Sequence, residues 1–144
     1  MSKKYKIGYT SGVFDLFHIG HLNILQRAKE QCDFLIVAVS TDELVSSYKN
    51  KTPVIEFAER AAIVKAIKYV DKVVPQESRN KMEAYKTHKF DVMFVGDDWK
   101  GTPLWIELEK NLAIEGAEIV YFNYTKVVSS TLLKDVLNKI LKEK

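Results

Sequence analysis

Five short runs rich in β-branched and aromatic residues alternate along this chain with segments of helical length, and that alternation limits the fold more than any other feature. The runs are YKIGYTSG, DFLIVAVS, DKVVPQ, DVMFVG and AEIVYFNY, each about four to eight residues, as strands usually are. Between the first two, Leu22, Leu25 and Ala28 mark an apolar stripe at helical spacing. Ala61, Ile63, Val64 and Ile67 mark another within FAERAAIVKAIKYV. Weaker helices fit NKMEAYKTHK and LWIELEKNLAIEG, the second stopping at Gly116. The last, SSTLLKDVLNKILKEK, opens with Ser129, Ser130 and Thr131, all good N-cap residues, and closes in lysines that suit the negative end of a helix.

Strands joined through helices need right-handed crossovers, so the pattern predicts an α/β fold of Rossmann-like, three-layer α/β/α form around a mostly parallel five-stranded sheet. A chain of 144 residues, 47% hydrophobic and 28% charged, has the size of one domain, expected over 1–144. The formal charge of +3 is modest and the lysines are scattered, which points away from a nucleic-acid surface yet suits a small anionic substrate. The single cysteine, Cys32, is expected as a small half-buried hydrophobe at a helix end and allows no internal disulfide. No apolar run approaches the roughly 20 residues of a membrane helix, and MSKKYKIGYT lacks the core of a signal peptide. No membrane association and a cytoplasmic location are the expectation.

Open parallel sheets bind ligands at the carboxyl ends of their strands, and four clusters follow strands here: Thr10 to His21, Ser40 to Lys51, Gly96 to Trp99 and Tyr124 to Thr131. In the first, GVFDLFHIGH gathers Gly12, Val13, Phe14, Asp15, His18, Gly20 and His21 at a strand-to-helix turn. His18 and His21 stand three apart at the helix start, so they face one way beside free N–H groups that favour phosphate. With an ordinary pKa of about 6.5, imidazoles next to a phosphate are expected to turn cationic and donate to it. Read alone, the same spacing also suits one surface and one core histidine, or a metal pair that still wants a further ligand. Ser46 to Val54 reads as a mobile polar loop carrying Lys49 and Lys51.

This cluster resembles the HxGH signature of the nucleotidyltransferase superfamily. The likeness extends to VSTDE, to the lysine-bearing loop, to ERAAIVKAIKYVDKVVP and to VGDDW, which together look like the cytidylyltransferase branch, particularly the bacterial glycerol-3-phosphate cytidylyltransferases. The resemblance implies transfer of CMP from CTP to a small phosphorylated alcohol with release of pyrophosphate, magnesium accompanying the nucleotide, and a homodimer. It implies that His18 and His21 hold the CTP phosphates and that Lys49 and Lys51 close over the reacting phosphates. It also implies that Thr10, Gly12, Val13, Phe14, Asp15 and Gly20 shape the nucleotide cradle, with Arg60 near the nucleotide phosphates. Outside the likeness, Arg60 reads as a surface partner of Glu56, and Asp15 as a helix cap. Asp97 and Asp98 match the positions that meet ribose or cytosine; Asp98 also suits a cap for the next helix, and Trp99 a half-buried core position.

One motif departs from the family. Its Arg-Thr-x-Gly-Ile-Ser-Thr-Thr appears here as YTKVVSST, so Tyr124 and Val127 replace the arginine and glycine while Ser129, Ser130 and Thr131 keep the hydroxyls. Lys126 offers charge without the guanidinium fork. Other phosphorylated or phosphonate acceptors, and an adenylyltransferase of the same superfamily, stay open at this stage, as does a nucleotide-binding module without turnover.

Overall fold

The computed structural model describes residues 4–123 and 130–142. Its elements run β1 (Tyr5–Gly12), α1 (Ile19–Gln31), β2 (Cys32–Ser40), α2 (Asp42–Lys49), α3 (Phe57–Lys65), β3 (Lys72–Gln76), α4 (Lys81–His88), β4 (Val92–Gly96), a 3-10 turn (Asp97–Trp99), α5 (Pro103–Ile114), β5 (Glu118–Phe122) and α6 (Ser130–Lys142). All five expected strands form. They lie in the order β3-β2-β1-β4-β5 with every pairing parallel, so the sheet is more uniform than the mostly parallel one expected. The chain winds outward from β1 through β2 to β3, then returns to the other side of β1 for β4 and β5. The order therefore reverses between β1 and β4, and a crevice opens beyond Gly12 and Gly96.

Both faces of the sheet are covered, because successive residues of β2 point to opposite sides. Leu35, Val37 and Val39 pack with Leu25 and Ala28 of α1 and Val64 of α3. Ile36 and Ala38 pack with Tyr9, Met93 and the Trp105 and Leu112 of α5, with Met82 and Tyr85 of α4 against the same cluster. Pro75 is tolerated because β3 is an edge strand, where a missing N–H interrupts no interior ladder. Of the three runs that open with aspartate, two do so for a common reason. Asp91 accepts from the Ile7 N–H at 2.9 Å, and Asp71 from the Leu35 N–H at 2.8 Å, each tying the start of its strand to a neighbour.

Three expectations need correction. The stretch taken as a loop from Ser46 is helical as far as Lys49, since Thr41 caps α2 by accepting from the Leu44 N–H, Asp42 and Glu43 sit in its first turn, and Lys49 sits in its last. Asn50, at φ 54°, ends it in the left-handed conformation that asparagine adopts more readily than most residues. Cys32 is not half-buried at a helix end: it is the first residue of β2, fully buried, with its thiol donating to the Ala28 carbonyl. The second helix is also shorter than its apolar stripe, for α3 ends at Lys65 and Ile67 packs from the turn beyond it.

The tightest spot in the sheet is Gly8, on β1. A Cβ there would stand 2.7 Å from both the Cys32 sulfur and the Phe94 ring, closer than packed atoms approach. Gly8→Ala is expected to destabilise the protein by about 1–3 kcal/mol through overpacking. Chemical unfolding checks this, and a midpoint equal to that of the unsubstituted protein would mean that Cys32 and Phe94 move aside freely.

Candidate active site

The chain leaves β1 through a turn whose backbone is strained. Phe14 (φ 55°) and Leu16 (φ 50°) are both left-handed, a conformation that costs side chains of this size about 1–3 kcal/mol each. The residue between them holds the turn. Asp15 is buried, and its carboxylate accepts from the Val54 N–H at 2.7 Å and the Ile55 N–H at 2.9 Å, so it fastens the turn to the loop ahead of α3. The Phe14 ring is buried against Phe17 and His21. Gly12 faces that ring, which a Cβ would meet at 3.1 Å. Thr10 is buried with its hydroxyl donating to the Phe94 carbonyl at 2.8 Å, which pins β1 to β4 where the strand order reverses.

Asp15 is not the helix cap; His18 is. Its Nδ1 accepts from the Gly20 N–H at 3.0 Å, while His21 Nδ1 reaches back to accept from the His18 N–H at 3.1 Å. This is a capping box with imidazoles in place of the usual hydroxyl and carboxylate. The two rings lie 4.1 Å apart between centroids. An Nδ1 that accepts a hydrogen bond carries no proton, so each neutral ring holds its hydrogen on Nε2. Electrostatics agree with that geometry. Burial lowers the His18 pKa, and burial followed by the neighbouring His18 pushes His21 down to about 4, against a smaller opposite pull from Asp15. In the free protein the cap holds both rings neutral, because a proton on either Nδ1 displaces a backbone N–H. What the pair presents is two neutral N–H donors at the positive end of the α1 dipole.

Arg60 departs furthest from expectation. Rather than pairing with Glu56 at the surface, it is 1% exposed. Its guanidinium donates to the carbonyls of Ile55 (2.7 Å), Val13 (2.6 Å) and Ser40 (2.8 Å) and to the Asp42 carboxylate (2.5 Å). Four of the five donors of an arginine are thus committed to the protein, and Arg60 joins the ends of β1 and β2 to α2 and the loop before α3.

The remaining positions ring the crevice unevenly. Lys49 and Lys51 are exposed, one on the last turn of α2 and the other just past it. Asp97 and Asp98 are exposed on the 3-10 turn that follows β4. Thr102, not Asp98, takes the N-cap position of α5, where Pro103 follows it. Trp99 is half-exposed, with its ring stacked on the buried Trp105 at 6.5 Å. Ser130 and Thr131 lie in the first turn of α6, whereas Tyr124, Lys126, Val127 and Ser129 lie outside the described residues.

One cation escaped the sequence reading. Lys81, the first residue of α4, reaches to the end of β1, where its ammonium donates to the Ser11 hydroxyl at 2.9 Å. Burial, and then the charge of Arg79, push its pKa down to about 8. The signal was present in RNK: a lysine directly after the capping Asn80 opposes the positive end of the helix dipole, so some other interaction must hold it there.

A model of the cytidylyltransferase-like family matches residues 9–136. The glycerol-3-phosphate cytidylyltransferase of Bacillus subtilis (strain 168) is 36% identical over 127 residues, covering 88% of this chain and 92% of its own. The FAD synthase of Thermococcus sibiricus is 33% identical over 143 residues, covering 98% of this chain and 97% of its own. Among solved structures, a lipopolysaccharide core biosynthesis protein from Thermoplasma volcanium superposes with a TM-score of 0.73 at 26% identity, covering 85% of this chain and 99% of that one.

The histidine cap carries a pH signature. His21 takes a proton near 6.5 in the unfolded chain and only near about 4 when folded, so the unfolded state binds more protons between those values. The associated stability is complete above pH 6.5 and is lost as the pH falls toward 4. In His21→Gln the side-chain oxygen still accepts from the His18 N–H, as glutamine does in an ordinary capping box, but nothing titrates there. The unfolding midpoint of the variant is expected to fall less steeply over this range; identical slopes would show that His21 is not held neutral by the fold.

Proposed function

The chain belongs to the cytidylyltransferase-like family, and on that premise we propose that it transfers CMP from CTP to glycerol 3-phosphate, releasing pyrophosphate and forming CDP-glycerol. It is a nucleotidyltransferase. A phosphate oxygen of the acceptor attacks the α-phosphorus in line, the bond from that phosphorus to the bridging oxygen breaks, and pyrophosphate leaves with the electron pair. No covalent intermediate with the protein is required, so catalysis consists of positioning two anions and meeting the charge that shifts onto the leaving group.

The observation that carries this reading is the histidine cap. His18 and His21 present paired Nε2–H donors at the point where the strand order reverses, at the positive end of the α1 dipole. Neutral donors fixed by the backbone need no rearrangement as charge develops on the phosphates. Lys49 and Lys51 supply mobile positive charge from the rim, and Lys81 supplies a fixed one beside β1 for the acceptor's phosphate. Ser129, Ser130 and Thr131 are assigned to the distal phosphates, and Asp97 and Asp98 to the ribose and base.

Magnesium is proposed as a companion of the triphosphate. Among the described residues no three His, Cys, Asp or Glu side chains gather as a ligand set, and both oxygens of Asp15 already accept backbone N–H groups. Such a donor set fits an ion carried mainly by phosphate oxygens, whose chemistry is to neutralise the triphosphate. A homodimer, a cytoplasmic location and a role in supplying activated units for cell-surface polysaccharide are proposed with the same family reading. Among the described residues no helix is long and apolar enough to cross a membrane.

A second reading rests on the FAD synthase likeness, which spans almost the whole of both chains: adenylyl transfer from ATP to a flavin phosphate. Pyrophosphate release separates the two when CTP or ATP, each with magnesium, is offered with glycerol 3-phosphate, phosphocholine, phosphoethanolamine or flavin mononucleotide. Release with CTP and glycerol 3-phosphate is expected, and release only with ATP and the flavin overturns the reading. His18→Ala and His21→Ala are each expected to lower kcat by roughly 10²–10³-fold with the fold retained, as removal of one transition-state donor does. Near-normal turnover in both would remove the role given to the cap.

A further inference from the structure

We propose that Ser11 is a positioning residue that aims the ammonium of Lys81 at the acceptor's phosphate. The inference rests on the cytidylyl-transfer reading above. Its basis is one directed hydrogen bond. An ammonium can only donate, and Lys81 donates to the Ser11 hydroxyl at 2.9 Å. Tyr9 and Ser11 stand two residues apart on β1 and so share one face of the sheet.

Tyr9 makes this face of β1 rigid. It is 2% exposed, and its ring lies between His88 at 5.6 Å and Phe90 at 4.9 Å, with the Phe90 ring braced edge-on by Tyr85. Ser11 follows two residues later toward the carboxyl end of β1, one residue before Gly12. Lysine has a long flexible stem, and an ammonium sunk among other side chains stays there only if something holds it. Ser11 is that holder. Without it the desolvated ammonium moves to water and away from the crevice.

The titratable and charged groups around Lys81 are few. Arg79, two residues earlier, is the charge that lowers its proton affinity. On the strand side stands Tyr9, protonated at all ordinary pH values, and behind it His88, whose pKa is lowered by burial and by Lys72.

The test compares Ser11→Ala, Ser11→Thr and Lys81→Met with the unsubstituted enzyme, using CTP and glycerol 3-phosphate. Ser11→Ala is expected to raise KM for glycerol 3-phosphate about tenfold, the size of one lost charge-assisted interaction, and to leave KM for CTP within about twofold. Ser11→Thr, which keeps the hydroxyl, restores the acceptor KM, and Lys81→Met raises it at least as much as Ser11→Ala. Equal changes in the two KM values for Ser11→Ala, or none in either, overturn the proposal.

A second readout needs no turnover. The Lys81 ammonium is titrated by NMR of isotope-labelled lysine side chains, with its signal assigned by its loss in Lys81→Met. In Ser11→Ala its midpoint is expected to climb from about 8 toward the ordinary 10.5, because the released ammonium regains water. An unchanged or lower midpoint means that packing of the stem holds Lys81, and overturns the proposal. Failure of every acceptor to release pyrophosphate instead overturns the cytidylyl-transfer reading, whatever the titration shows.

Discussion

The buried guanidinium of Arg60 is the interaction on which the rest of the site depends. It gathers the turn after β1 through Val13, the end of β2 through Ser40, the first turn of α2 through Asp42 and the loop before α3 through Ile55. Four points on the chain, from the end of β1 to the loop before α3, are thereby set against one another. Charge-assisted hydrogen bonds of this kind contribute about 1.5–3 kcal/mol each, against the cost of taking the guanidinium out of water. Asp15 works beside it with opposite charge, accepting from Val54 and Ile55. Between them they hold Phe14 and Leu16 in left-handed conformations that an unsupported turn would abandon.

That frame separates the polar groups of the crevice into two kinds. Arg60, Asp15 and Thr10 are engaged by the protein itself, and they fix where the backbone goes. His18 and His21 use Nδ1 for the helix cap, which leaves Nε2 outside it. Lys49 and Lys51 are exposed, and Lys81 is held at the end of β1 by Ser11. On the proposed reading this is an anion hole made before the anion arrives, with rigid neutral donors and both fixed and mobile cations, suited to a reaction in which phosphates exchange partners without bonding to the protein.

Much of this was legible in the residues. The alternation of strand-like and helical segments yields the parallel sheet, because few architectures bury both kinds of element together. The crowding of Asp15, His18, Gly20 and His21 after the first strand locates the crevice. The sequence could not show which of those groups the protein would keep for itself. Arg60 looks alike on paper whether it pairs with Glu56, grips a phosphate or caps three carbonyls, since its partners are brought near only by tertiary packing. The neutral state of the histidines in the free protein is illegible for a related reason: only the folded turn brings a backbone N–H to each Nδ1. Left-handed backbone at Phe14 and Leu16 carries no signal when the residue is not glycine or asparagine. Lys49 was placed in a loop because α2 is short and its polar residues hide the helical stripe.

The central claim, that the backbone fixes His18 and His21 as neutral Nε2–H donors, is tested most directly by a long-range ¹⁵N–¹H correlation spectrum of the imidazole rings at pH 7 without ligand. The account predicts for both rings an unprotonated Nδ1 and a protonated Nε2 at pH 7, with that of His21 unchanged as the pH is lowered to about 6. Protonation of Nδ1 in either ring at pH 7 would contradict it, for the cap would then be broken and the pair free to bind phosphate as imidazolium.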